Sequence, residues 1–253
     1  IINRSFWPKN QIIGESLLQL SEKTFQDGKS SVVITQSSEN FKKTIIESGR
    51  GLGVIFKICK SRSDSSTKLL YRIFDALIFM FWVILNLILT RPKNIYVSTD
   101  PPLLVPFIVF LYSKISRSSY VYHIQDIQPE GLNIIVKLNS VLFTFLKKVD
   151  SLVIRNASSI VTITQTMKDE IVTRSKTNSK IYLLDNPTIT STSIPKSKIT
   201  GFVFSGNAGR QQRIPLILKS IDKYKEQGGV LPFLFIGAGL YSDDIRLLSS
   251  KHK

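Results

Sequence analysis

Short β-branched runs alternate with longer stretches of helical spacing along most of this chain. Runs at 31–35 (SVVIT), 94–98 (NIYVS), 119–124 (SYVYHI), 159–164 (SIVTIT), 180–184 (KIYLL), 201–205 (GFVFS) and 232–236 (PFLFI) predict strands. Between them, 14–26 carries Leu17, Leu18, Leu20 and Phe25 at helical spacing, and Ile134, Leu138, Val141, Leu142, Phe145 and Val149 fall on one predicted helical face. Strands that alternate with helices imply parallel sheets with crossover helices, hence an α/β doubly wound architecture. The opening Ile1-Ile2-Asn3 reads as the tail of a first strand, so the sequence reads as a fragment at its start; 249–253 follows a fresh helical pattern with no closing element, which leaves a fragment end open as well.

Residues 188–200 (TITSTSIPKSKIT) are rich in Ser and Thr and lack apolar periodicity, which predicts a linker. The expected division is 1–187, linker 188–200, and 201–253. One stretch is too apolar for an ordinary surface helix. The 15 residues from Ala76 to Thr90 carry no charge, fewer than the ~20 that span a bilayer. Three readings stay open: a helix packed on a sheet face, a monotopic helix flanked by Lys68, Arg72, Arg91 and Lys93, or a membrane span.

Composition narrows the functions. Hydrophobic residues make up 43% of 253, enough for packed cores. Lys and Arg outnumber Asp and Glu by 34 to 18, a net +16, which calls for an anionic partner: nucleic acid, a phosphorylated ligand or an acidic membrane. No basic recognition helix or aromatic RNA motif supports nucleic acid. The lone Cys59 excludes an intrachain disulfide framework and a cysteine zinc site, and two histidines leave little for a His-rich metal centre.

Candidate chemistry lies at three places. After the linker, a strand runs into Gly206-Asn207-Ala208-Gly209, with Arg210 and Arg213 close behind and a helix following. Glycines admit a phosphate near backbone, and a helix start offers unpaired N–H groups; a tight turn is the plainer reading. Gly237-Ala238-Gly239 forms a similar turn after the next strand. In SYVYHIQDIQPEGL, His123, Asp126 and Glu130 lie at and beyond the carboxyl end of a strand, where open α/β sheets bind ligands. His123 could exchange protons or orient a hydroxyl, or be a core histidine bonded to backbone. Asp126 could serve as a functional carboxylate or cap the next segment. Asp100 before Pro101-Pro102 suits a helix N-cap.

The order of these motifs resembles glycosyltransferase family 4, in particular its bacterial members that build surface polysaccharide. NRSFWPKNQIIGESLLQLSEKTFQDGKSSVVIT is similar to the family's opening, STDPP to its "S-PP" turn and HIQDIQPEGL to its "D-x-x-PE" segment. ASSIVTITQTMKDEIV, LLDNP, FVFSGNAGRQQ and FLFIGAG match, in order, its later strand–helix, closing "NP", "YSGNIG--Q" and "F-IVGDG" motifs. The resemblance implies a GT-B fold of two Rossmann-like domains. It implies metal-independent, cofactor-free transfer of a sugar from a nucleotide-sugar, with retention at the anomeric carbon. The acceptor would be a glycan, often on a polyprenyl diphosphate, reached at the cytoplasmic face of the plasma membrane. Donor-side positions would be Gly14, Gly206, Asn207, Gly209, Arg210, Arg213, Gly237 and Gly239; catalytic ones Asp126 and His123.

Departures matter. Where family members carry Lys-Gly after the second-domain loop, this chain has Gln212-Arg213, and Ala238 replaces a usual acid. The family's E-x7-E pair, which holds the donor's sugar and ribose, falls beyond Lys253, so the chain alone is expected neither to bind a nucleotide-sugar well nor to turn over. Two other readings stay open: a dehydrogenase or epimerase, whose G-x-G-x-x-G fingerprint the first loop lacks, and a non-catalytic remnant or partner subunit.

Overall fold

The computed structural model describes residues 1–8, 10, 12–37, 40–63, 69–186, 200–209 and 212–252. The chain divides into two compact units, 1–189 and 190–253. Arg210 and all of the expected linker except Thr200 lie outside the described residues.

The first unit runs α1 (Ile13–Gln26), β1 (Val32–Ser37), α2 (Phe41–Glu47), β2 (Ile55–Lys60), α3 (Leu69–Thr90), β3 (Asn94–Ser98), α4 (Leu104–Ser116), β4 (Ser119–Ile124), α5 (Glu130–Ile135), α6 (Ser140–Asn156), β5 (Ser159–Thr162), α7 (Gln165–Ser175) and β6 (Lys180–Leu183). Every strand pairing is parallel: β1 with β2, and β3-β4-β5-β6 in that order. Residues 1–3 join the two sets. Ile2 bridges Ile34 of β1 and Val97 of β3, its N–H donating to the Tyr96 carbonyl at 2.7 Å and its carbonyl accepting from Ser98 at 3.3 Å. The strand-tail reading of Ile1-Ile2-Asn3 is thus realised at the centre of the sheet.

The chain leaves this centre toward β1 and β2, then returns to build β3–β6 on the other side. That reversal is a topological switch point, the place where open α/β sheets keep a crevice at their carboxyl ends. Alternation along the strands divides the core. Ile95, Val97, Tyr120, Tyr122, Ile124 and Ile160 meet Phe79, Val83 and Leu87 of α3, Val105 and Val109 of α4, and Val153 and Ile154 of α6. Leu17 and Leu18 of α1 and Phe41 and Ile45 of α2 pack with Phe6 and Val33 in a second cluster, which Tyr96 joins.

Three expectations need correcting. The helical face drawn from Ile134 to Val149 is broken: α5 ends at Ile135 and Asn139 caps α6 by accepting from the Leu142 N–H at 2.8 Å. Ile134, Val141, Leu142 and Phe145 stay exposed, and α6 buries Asp150, Ser151, Val153 and Ile154 instead. Asp100 caps no helix, because α4 begins at Leu104; its carboxylate accepts from the Ser5 N–H at 2.9 Å and faces Arg4 at 3.6 Å. The apolar helix is 22 residues long, since it starts at Leu69 and absorbs Arg72 and Asp75.

The second unit holds β7 (Phe202–Ser205), α8 (Ile214–Glu226), β8 (Phe233–Ile236) and α9 (Ser242–Lys251), with β7 and β8 parallel. Phe202 stacks on Phe233 at 4.6 Å between centroids, and Tyr224 of α8 meets both edgewise.

Gly14 tests the packing of the first loop. A Cβ there would lie 2.3 Å from the Trp7 nitrogen and 2.7 Å from the Phe6 carbonyl carbon, both backbone atoms that cannot step aside. Alanine is the better helix former by about 1 kcal/mol. Gly14→Ala is nevertheless expected to lower stability by about 1–3 kcal/mol in urea unfolding; a stabilised variant would refute this packing.

Candidate active site

The carboxyl edge of the first sheet is built by loops that hold one another. After Asn3 the chain turns back over the edge: Arg4 N–H donates to the Asp100 carbonyl at 2.9 Å and Gln36 N–H to the Arg4 carbonyl at 3.0 Å. Ser98 Oγ donates to Asn3 Oδ1. Loops that follow three neighbouring strands are thereby tied together at the switch point.

His123 stands at the end of β4, beside Ser98 and Val161 in the strand register, and only 3% of it is exposed. Its Nδ1 lies 3.0 Å from Tyr96 Oη, so its partner is a side chain rather than backbone. Its buried Nε2 has no hydrogen-bond partner among the described residues. Burial pushes the imidazole down to about 4, from 6.5, and pushes the Tyr96 phenol up. At neutral pH, therefore, a neutral imidazole faces a protonated phenol. If Tyr96 donates to Nδ1, Nε2 carries an unused N–H; if Nδ1 donates, Nε2 keeps an unused lone pair. In both tautomers one buried polar atom is left unsatisfied among the described residues.

Asp126 follows on the loop after β4. It is exposed and, among the described residues, forms no hydrogen bond or ion pair, so it caps nothing. Glu130 is committed elsewhere. It pairs with Lys147 at 3.1 Å and with Arg174 of α7 at 3.0 Å. Arg174, whose side chain is 3% exposed, also donates to the Gln128 carbonyl at 2.6 Å and to Asp150 of α6. Burial raises Asp150 to about 6, against the pull of Arg174. This cluster pins the loop that carries Asp126 on its far side, at Gln128 and Glu130. Sequence reading missed it, because Asp150 and Arg174 lie in helices with no motif around them; so did Tyr96, an ordinary aromatic within a strand.

In the second unit the two glycine turns interlock. Gly206 N–H donates to Ile236, Ala208 N–H to Ala238, Gly209 N–H to Asn207 and Tyr241 N–H to Ala208. A Cβ on Gly237 would lie 1.9 Å from the Gly206 carbonyl oxygen, and one on Gly239 would lie 2.4 Å from Asn207 Oδ1. Gly206, Asn207, Gly209, Gly237 and Gly239 are therefore gathered at one end of β7 and β8. The glycines answer first to turn-on-turn packing, and the N–H groups of residues 206, 208 and 209 are already spent. Asn207 is exposed beside a pocket of about 220 Å³ lined by Gly206, Ala208, Gly237, Ala238, Ser242 and Arg246, and its N–H has no partner among the described residues. Arg213 is exposed with φ +50 immediately before α8, a left-handed position that glycine suits best. Gly14, in the first turn of α1, belongs to the first unit and is required there by the packing on Phe6 and Trp7. Among the described residues no three His, Cys, Asp or Glu side chains gather to hold a metal.

Two α/β units with parallel strands, a switch-point edge in the first and glycine turns in the second define a GT-B fold of Rossmann-like type. No protein-family model matches the chain, and no curated protein matches it. Among solved structures it is similar to Arabidopsis thaliana UGT89C1. With UDP-L-rhamnose bound, that protein superposes with a TM-score of 0.52 at 11% identity, over 88% of this chain and 64% of that one. Its quercetin complex gives 0.51 at 11% over 91% and 67%, and its UDP complex 0.50 at 13% over 87% and 61%. The chain thus spans roughly two thirds of the length of the structures it resembles.

His123 generates a pH test. Its folded pKa, about 4, lies below its ordinary 6.5, so the unfolded chain binds the proton first. The histidine's contribution to stability is complete above pH 6.5 and is lost as pH falls toward 4. Asp150 acts with the opposite sign in an overlapping window, so the difference between wild type and His123→Gln is the quantity to measure. That difference should change by about 3 kcal/mol between pH 7 and 4. NMR of the imidazole should show it titrating near 4 rather than near 6.5.

Proposed function

We propose that the protein is a nucleotide-sugar-dependent glycosyltransferase of the family 4 type. It moves a sugar, with retention, from a nucleotide-sugar to a glycan acceptor on a polyprenyl diphosphate or similar lipid, in surface-polysaccharide synthesis at the inner face of the plasma membrane. Residues 201–253 contribute to the donor side and 1–187 to the acceptor side. The observation that carries the reading is the GT-B fold with a buried imidazole whose Nε2 is unpartnered among the described residues, His123 at the end of β4, and an unpaired carboxylate, Asp126, on the loop that follows it at the switch-point edge. The UGT89C1 structures hold UDP-L-rhamnose, UDP or quercetin, which favours a UDP-sugar as donor.

In this reading the bond from the anomeric carbon to the diphosphate breaks, an acceptor hydroxyl oxygen bonds that carbon, and the hydroxyl proton passes to the leaving diphosphate. Charge grows on the leaving diphosphate, and fixed donors aimed at it lower the barrier without a metal. The N–H of Asn207, the start of α8 and the cations Arg210 and Arg213 are the groups assigned to that task. Gly206, Gly209, Gly237 and Gly239 shape the turns that present these groups, and Gly14 is assigned to the donor side from the first unit. His123 Nε2 and Asp126 engage the sugar and acceptor hydroxyls.

The test uses the protein as the cell makes it. UDP, ADP and GDP are titrated while backbone amides are followed by NMR. One of them, with UDP favoured, should shift residues 206–209 and 237–239, and silence from all three would sink the reading. Asp126→Asn should then slow transfer of labelled sugar to extracted lipid acceptor by about a hundredfold or more while nucleotide binding persists.

A further inference from the structure

The side of α3 turned away from the core is apolar from Ile73 to Leu89, with exposed Arg72 near its start. Leu70, Phe74, Phe81, Leu85 and Leu89 recur every few residues and are 48–79% exposed. On the neighbouring α4, Leu104, Leu111 and Ile115 extend the same kind of surface, Ile115 being 86% exposed. At ~1.5 Å per residue α3 is about 33 Å long, so these residues form a continuous apolar strip rather than the scattered single positions that need no explanation.

Charge around the face has one sign. No Asp or Glu occurs from Ala76 to Thr99 or from Pro101 to Gln125. Both helices return from the carboxyl edge to the amino edge of the sheet, so their last turns lie side by side. Ser118 Oγ donates to the Pro92 carbonyl at 2.7 Å and Ser119 N–H to the Lys93 carbonyl at 2.9 Å. Exposed Arg91, Lys93, Lys114 and Arg117 therefore collect at one end of the apolar face, and exposed Arg72 stands near the other.

We propose that the α3–α4 face beds into the interfacial zone of an anionic bilayer, as a monotopic surface, with the Arg91–Lys93–Lys114–Arg117 cluster on lipid phosphates. Leu70–Thr90 is long and apolar enough to cross a membrane, but its inner side is already used. Phe79, Val83 and Leu87 are at most 1% exposed within the sheet core, and Asp75 accepts from Gln36 Nε2 at 2.9 Å and Ser63 Oγ at 2.7 Å. A spanning α3 would empty that core. A second copy is a poor occupant, because it would bring a cationic rim of the same sign against this one.

This inference deepens the membrane part of the proposed function, and its test needs no sugar transfer. Flotation with phosphatidylglycerol–phosphatidylcholine vesicles, and with phosphatidylcholine alone, measures binding. Phe81→Glu with Leu85→Glu, both on exposed positions, and Lys93→Gln with Lys114→Gln should each weaken binding to the mixed vesicles by about tenfold. High salt should weaken it too, and alkaline carbonate should release the protein. Equal binding by all variants would overturn the proposal, as would resistance to carbonate. So would a lipid-free dimer that Phe81→Glu dissociates. UDP titration on the same samples keeps the two readings apart. UDP binding without vesicle binding sinks this inference alone; vesicle binding without nucleotide binding sinks the transferase reading alone.

Discussion

Ile1, Ile2 and Asn3 supply the backbone hydrogen bonds that make one sheet out of two. Without the bonds that tie Ile2 to Tyr96 and Ser98, and Ile1 and Asn3 to Ile34 of β1, the β1–β2 pair and the β3–β6 set would be separate ladders. Their parallel register also fixes the direction of the chain as it leaves the sheet, and so puts the loop of residues 4–8 over the carboxyl edge. That loop is then locked by Asp100, which takes the Ser5 N–H on its side chain and the Arg4 N–H on its carbonyl. His123 inherits its surroundings from this arrangement: Tyr96 and Ser98, its nearest companions on β3, sit on the strand that the inserted segment holds in place.

Electrostatics under the same edge works by burial rather than by exposed pairing. Arg174, Asp150 and Glu130 join α7, α6 and the 126–130 loop, and two of the three side chains are almost fully inaccessible. A pair this deep adds little net stability, yet losing one partner strands the other at a cost of about 3–5 kcal/mol. Its effect is to fix a geometry. The loop can thus carry an unpaired carboxylate at Asp126 without collapsing onto it.

Much of the fold was legible because parallel strands buried on both faces read as β-branched runs. NIYVS and SYVYHI coincide with β3 and β4 residue for residue, and the other expected strands agree to within two residues. The sequence pattern did not announce β2. IFKICK carries Lys57 and Lys60, and an edge strand half open to water need not be uniformly apolar. The α5–α6 break was missed because a polar cap at Asn139 can interrupt an apolar period that runs on unchanged past it. Asp100 was misassigned for a related reason: local chemistry suggests a cap, but its partners Arg4 and Ser5 are nearly a hundred residues away in sequence. The candidate site was legible only where it has motif form, as His123, Asp126 and the glycine turns do. Tyr96, Asp150 and Arg174 act through distant contacts that spacing does not encode.

The interlock of the glycine turns has a consequence for how this protein can change. Because the Gly206 carbonyl occupies the space of a Gly237 side chain, and Asn207 and Ala208 that of a Gly239 side chain, the two turns form one mechanical part made of two distant stretches of chain. Neither can drift alone. A mutational library would find these positions tolerant only in concert, while the exposed Ala238 beside them is where new ligand preferences have room to evolve.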